Sequence, residues 1–168
     1  MSAHVLFILK NCALTGANVA EFDLFVKNDG DKKLNLNSLQ FGVNIDLAAI
    51  NGGVIKGGVV AYNPEIVPPC RPFSFPPAFS PTHARFVGGA TPSPFTGAPP
   101  LPVGGEVFIG RFSITNSNDF AGALKLALQN GTGAGYTVCA AIVYVNGATI
   151  TSSLVAPGGV GTDVQCNI

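Results

Sequence analysis

EFDLFVKNDG, residues 21–30, alternates with a period of two: Phe22, Leu24 and Val26 fall on one face, Glu21, Asp23 and Lys27 on the other, and Asn28-Asp29-Gly30 follows as a turn. Successive side chains of an extended chain point to opposite sides, so the pattern is that of a β-strand with one buried face. The same period returns in residues 38–46, SLQFGVNID, where Leu39, Phe41, Val43 and Ile45 alternate with Gln40, Gly42, Asn44 and Asp46. In residues 106–116, EVFIGRFSITN, it predicts a shared face for Phe108, Phe112 and Ile114, and in residues 123–129, ALKLALQ, for Leu124, Leu126 and Leu128. Residues 137–155 hold two more strands around Asn146-Gly147, a dipeptide suited to tight hairpins because both central positions need positive φ. Asn51-Gly52-Gly53, Asn130-Gly131 and Gly158-Gly159 supply further turns. Helical periodicity is weak. Its best candidate, residues 118–128, NDFAGALKLAL, has a glycine at its middle and reads as strand or a single turn. Eight or nine short strands with regular turns predict an all-β fold, a two-sheet antiparallel β-sandwich, Ig-like or jelly-roll-like.

Between these strands the composition changes. Twelve of the 13 prolines lie between Pro64 and Pro102, together with Phe73, Phe75, Phe79, Phe86 and Phe95, and with only Glu65, Arg71 and Arg85 carrying formal charge. Proline fixes φ and removes a backbone donor, so the segment is expected to be neither helix interior nor central strand. The chain therefore reads as one domain, residues 1–168, in which 63–104 is an extended, structureless arm between a strand ending near Tyr62 and one beginning near Gly105. A disordered linker is normally polar, and this one is not. Its phenylalanines each favour burial by roughly 1.5–3 kcal/mol, so the arm is expected to lie against its own domain or a neighbouring subunit. The expected interaction surface is Phe73, Phe75, Phe79 and Phe95, and deletion of Pro68 to Pro102 is expected to leave a folded monomer that no longer assembles.

Charged residues make up 11% of the chain, well below the usual level of about 25%, which leaves a surface covered by small polar groups and suited to close packing of copies. Nine basic residues balance nine acidic ones, and no basic run exceeds Lys32-Lys33, which argues against nucleic-acid binding. Cys12, Cys70, Cys139 and Cys166 contain no CxxC and permit two disulfides in any of three connectivities, or buried thiols in place of a pair. Oxidised pairing implies an extracellular or periplasmic location. The apolar run after His4 is short for a signal-peptide core, so a secreted protein has lost its signal or carries a cloning methionine at Met1; a native Met1 implies synthesis in the cytoplasm. No apolar stretch approaches the ~20 residues of a membrane span.

EFDLFVKNDG (21–30), LQFGVNIDLAAINGG (39–53) and GGEVFIGRFSITN (104–116), in that order, resemble the cohesin-like and carbohydrate-module-like β-sandwiches of secreted bacterial surface proteins. The resemblance covers about forty residues and includes neither the arm nor a site motif. It implies binding or scaffolding rather than catalysis.

The side chains offer little chemistry. His4 and His83 have no carboxylate or cysteine at ligand spacing, and no GxSxG elbow is present. Glu21, Asp23, Asp46 and Glu106 are the candidates for paired carboxylates, but the chain has no Trp and only Tyr62, Tyr136 and Tyr144 for stacking on sugars. Asn28, Asp29 and Asp31 crowd one turn without completing a calcium loop. No catalytic residue, cofactor or metal is expected. The expected function is that of a structural subunit that assembles with copies of itself into a surface fibre, sheath or layer through the arm and through strand edges. The alternatives are a cohesin-like module for a protein or glycan ligand, and a virion coat or decoration protein.

Overall fold

The computed structural model describes residues 5–66, 73–77, 80–88, 100–128, 139–145, 148–150 and 164–166. In chain order the strands are β1 (Val5–Gly16), β2 (Val19–Asn28), β3 (Leu34–Asn44), β4 (Ile55–Tyr62), β5 (His83–Val87), β6 (Pro100–Leu101), β7 (Glu106–Asn116), β8 (Lys125–Leu128), β9 (Ala140–Val145), β10 (Ala148–Ile150) and β11 (Val164–Gln165). They form a two-sheet antiparallel sandwich of the jelly-roll kind. One sheet runs β1-β2-β7-β4; the other runs β10-β9-β3-β8-β11, with β5 and β6 also paired to β3.

The period of two has the expected result. Ala20, Phe22, Leu24 and Val26 of β2 are buried, as are Leu39, Phe41, Val43 and Ile45 in and just beyond β3, and Leu124, Leu126 and Leu128 in and before β8. In β3 the buried positions change from even (Leu34, Leu36) to odd (Leu39, Phe41), because an extra residue enters the strand between Leu36 and Ser38 opposite β9.

A second bulge corrects one expectation. Leu24 pairs with Gly110 and Phe25 with Phe108, so Ile109 is an extra residue on β7. Ile109 turns into the core, 1% exposed, while Phe108 goes to the outer face and meets the Phe25 ring at 5.3 Å. Phe108 therefore does not share a face with Phe112 and Ile114. Strict alternation has no means of registering an inserted residue.

The one α-helical turn among the described residues, α1 (Leu47–Ile50), also lies elsewhere than in residues 118–128. Asp46 caps it by accepting from Ala48 N at 2.8 Å, and Asn51 ends it in the left-handed region at φ 54°.

The arm requires a larger correction, for its described parts are structured. Residues 83–87, HARFV, contain no proline and keep all their backbone donors, so they pair with β3 from Gln40 to Asn44 as β5. Pro100 is tolerated in β6 because that two-residue strand needs few ladder bonds. Phe86 of β5 stacks on Phe41 of β3 at 4.4 Å and meets Phe22 at 5.8 Å, while Phe73 meets Phe112 at 5.0 Å. Both sheets and the arm thus contribute rings to one aromatic core.

A disulfide joins Cys12 in β1 to Cys166 just after β11, binding the two sheets across a sequence separation of 154. Of the three connectivities, only Cys70 with Cys139 remains for a second bond. Cys139 is buried, and Cys70 lies outside the described residues. The expected turns at Asn130-Gly131, Asn146-Gly147 and Gly158-Gly159 also lie outside them.

Candidate binding cleft

After Tyr62 the chain turns through a short 3₁₀ segment, Pro64–Ile66, and Asn63 anchors it by donating its side-chain amide to Phe108 O at 2.8 Å. The arm returns to the sandwich at Phe73, whose N–H donates to Tyr62 Oη at 2.9 Å and whose ring stacks on Tyr62 with centroids 6.1 Å apart. Ser74 then pairs with Val87 in both directions, Ser74 N to Val87 O at 2.8 Å and Val87 N to Ser74 O at 3.0 Å. Phe75 leans on Phe86 at 5.8 Å and comes close over Gly57 of β4, where a β-carbon would sit 3.1 Å from the Phe75 ring and 3.0 Å from the Phe86 ring. Glycine at this position lets the arm approach the strand.

Pro76 and Pro77 then diverge from β4 and leave a cleft. Its main hollow, about 200 Å³, is bounded by Val54, Ile55 and Gly57 on the β4 side, by Phe75 and the two prolines on the arm side, and by the start of β5. An adjoining hollow of about 180 Å³ shares Val54, Ile55, Pro77 and His83 and extends to Ser80 and Pro81. Val54 stands 73% exposed. Among the described residues, the fully charged ones that line the cleft, Lys56 and Arg85, are both cations.

His83 closes the inner end. It is 1% exposed, and its Nδ1 lies 2.7 Å from Asn44 Oδ1. Burial lowers its pKa from 6.5 to about 4, with the Arg85 charge adding to the fall, so the imidazole is neutral at physiological pH. The Asn44 amide oxygen beside Nδ1 holds the buried ring in place between β3 and β5.

The candidate carboxylates have other roles. Glu21 and Asp23 on β2 both hold Arg111 of β7, at 2.9 and 2.8 Å. Burial pulls the Arg111 pKa down, but hydrogen bonds and charge from the two carboxylates outweigh it and raise it overall. Glu106 pairs with Lys10, whose ammonium sits 4.6 Å above the Phe25 ring, and Asp46 caps α1. In the polar turn, buried Asn28 donates to Lys32 O at 2.6 Å and Leu101 O at 3.0 Å and accepts from Gly30 N at 3.0 Å, so it organises backbone. Among the described residues no three His, Cys, Asp or Glu side chains gather as metal ligands, and no helix is long and apolar enough to cross a membrane.

Of the four residues expected to form the interaction surface, Phe73 is 6% exposed within the protein's own core and Phe75 is half-buried against it. Phe79 and Phe95 lie outside the described residues. Val54, Ile55, Pro76 and Pro77 were not singled out by the sequence. The one local signal for the cleft is Gly57-Gly58 in an otherwise strand-forming run, since glycine inside a strand marks close approach by another group.

No protein-family model matches the chain, and no curated protein matches it. Solved structures do. CaCohA2 from Clostridium acetobutylicum has 12% identity and a TM-score of 0.54, over 99% of this chain and 92% of that one. The seventh ScaB type I cohesin from Pseudobacteroides cellulosolvens has 9% identity and a TM-score of 0.54, over 97% and 90%. A type II cohesin domain from the cellulosome of Acetivibrio cellulolyticus has 10% identity and a TM-score of 0.51, over 100% and 96%. At these identities the likeness is one of fold, and it agrees with the resemblance carried by residues 21–30, 39–53 and 104–116.

Proposed function

We propose, starting from a sandwich fold shared with cohesin domains, that this chain is a non-enzymatic module that binds a partner protein through the cleft between β4, β5 and the arm. The observation that carries the reading is the return of the arm. Phe73 and Phe75 pack on the chain's own sandwich, and Phe75 with Pro76 and Pro77 then walls an open apolar hollow beside a strand. A preformed concave apolar site flanked by a few charged groups is what recognition requires, and it needs no ordering of the arm on binding. The Cys12–Cys166 disulfide supports an extracellular or cell-surface location. A protein ligand is favoured over a glycan, because Tyr62 is stacked on Phe73 and the chain has no Trp.

The low charge of the chain, 11%, supports a second reading, assembly of copies into a surface fibre or layer. Light scattering on the native protein at micromolar concentration separates the two. A monomer of 17.2 kDa is expected; filaments or large closed shells would overturn the binding-module reading in favour of assembly.

A further inference from the structure

We infer that the cleft receives an extended strand of the partner, hydrogen-bonded along the outer edge of β4, with one large apolar side chain in the hollow and an acidic residue next to it. This deepens the proposal above and rests on it. β4 ends its sheet among the described residues, so its ladder with β7 occupies one side of the strand only. The segment beside that open side has few backbone donors to offer the ladder. Pro76 and Pro77 have no N–H to donate, and Ser74 has already exchanged both of its backbone bonds with Val87 of β5. The cleft therefore has one wall able to pair with a strand and a facing wall poor in competing donors.

Side-chain direction along β4 sets what the incoming strand must carry. Ile55 and Gly57 point inward and Lys56 points out, exposed. A strand laid in register alternates in the same way. One of its side chains enters the main hollow beside Ile55 and Gly57, and the neighbouring ones stand next to Lys56. The hollow, about 200 Å³, is larger than the roughly 150 Å³ apolar cavity that accommodates benzene, so it suits one leucine, isoleucine or phenylalanine side chain and is small for a cofactor. Lys56 and Arg85 make an aspartate or glutamate beside that anchor the complementary choice. Main-chain bonds to the edge supply affinity, and the hollow and the cations supply specificity.

The test is a selection of displayed random decapeptides on the full chain, followed by affinity measurement with synthetic copies of the enriched family. The expected family has a large apolar residue adjacent to an acidic one in a β-branched context. Methylating alternate backbone nitrogens of such a peptide should cost at least about tenfold in affinity in one phase and almost nothing in the other, because only every second N–H of an added strand faces β4. Lys56→Glu, at an exposed position, should weaken the peptide by about fivefold with an unchanged melting temperature. A saturable family indifferent to methylation phase and to Lys56→Glu would overturn the strand inference while leaving the protein-binding reading standing. A selection that enriches no saturable family would overturn both.

Discussion

Gly53 lies against buried Asn116, and a β-carbon there would overlap the Asn116 Oδ1 atom. The neighbour cannot move away easily, since Asn116 Nδ2 donates to Ile50 O at 2.8 Å and its backbone N–H donates to Asn18 O at 2.9 Å. Gly53→Ala is therefore expected to cost about 1–3 kcal/mol in urea unfolding, the range for overpacking a closed site, whereas Gly52→Ala meets no neighbour and suffers only from its φ of +71°. A second prediction at this scale concerns His83. Its folded pKa of about 4 lies below the ordinary 6.5, so between these values the unfolded chain binds a proton that the folded chain does not. Stability is then full above about pH 6.5 and falls as pH drops toward 4, by at most about 3 kcal/mol. Thermal melts of the wild type and of His83→Gln between pH 7 and 5, above the main carboxylate range, should show a slope in the first and a flatter line in the second. Equal slopes would remove His83 as the cause. The sequence placed His83 in the arm with no carboxylate or cysteine at ligand spacing; its burial and its contact with Asn44 were not legible, because both depend on β5 lying beside β3.

Strands and their bulges are the next level. In β7 the extra residue Ile109 turns Phe108 outward, and in β3 the extra residue after Leu36 changes which positions face the core. Alternation identifies a strand but carries no information about an inserted residue until the partner strand is in place. The same holds for β5, whose five residues resemble many short apolar runs and become a strand because β3 offers them an edge. At this scale the covalent tie between β1 and β11 gives a sharp expectation. The Cys12–Cys166 bond closes a loop with a sequence separation of 154, and loop-closure entropy for such a length corresponds to about 5 kcal/mol. The double variant Cys12→Ser with Cys166→Ser should lose stability on that order in denaturant titration, with the sheets themselves retained in far-ultraviolet circular dichroism at low temperature. A loss below about 1 kcal/mol would mean that the packing of Val164 and Leu126 already holds β11 in place without the bond.

For the whole molecule, the arm decides the outcome. Residues 68–102 include Phe73 and all of β5, with Phe86 fully buried against Phe22, Phe41 and Phe112. Removing them would uncover the aromatic core, so the deletion of Pro68 to Pro102 should give an unfolded or aggregated chain rather than a folded monomer; truncating a single buried phenylalanine already costs about 3–5 kcal/mol. A sharp thermal transition for the deletion variant would refute this and restore the arm to the role of a dispensable appendage. The two-sheet antiparallel class, the buried face of β2, the end of β4 at Tyr62, the start of β7 next to Gly105 and the likeness to cohesin sandwiches were all determined by the sequence alone, because period-two alternation and turn residues are local properties of the chain. The destination of Phe73 and Phe75, the Cys12–Cys166 pairing, the strand inside the proline-rich segment and the cleft beside Gly57 were decided only by the tertiary structure. Each depends on which distant residues become neighbours, and an apolar side chain gains as much from its own core as from another molecule, so composition alone cannot choose between them.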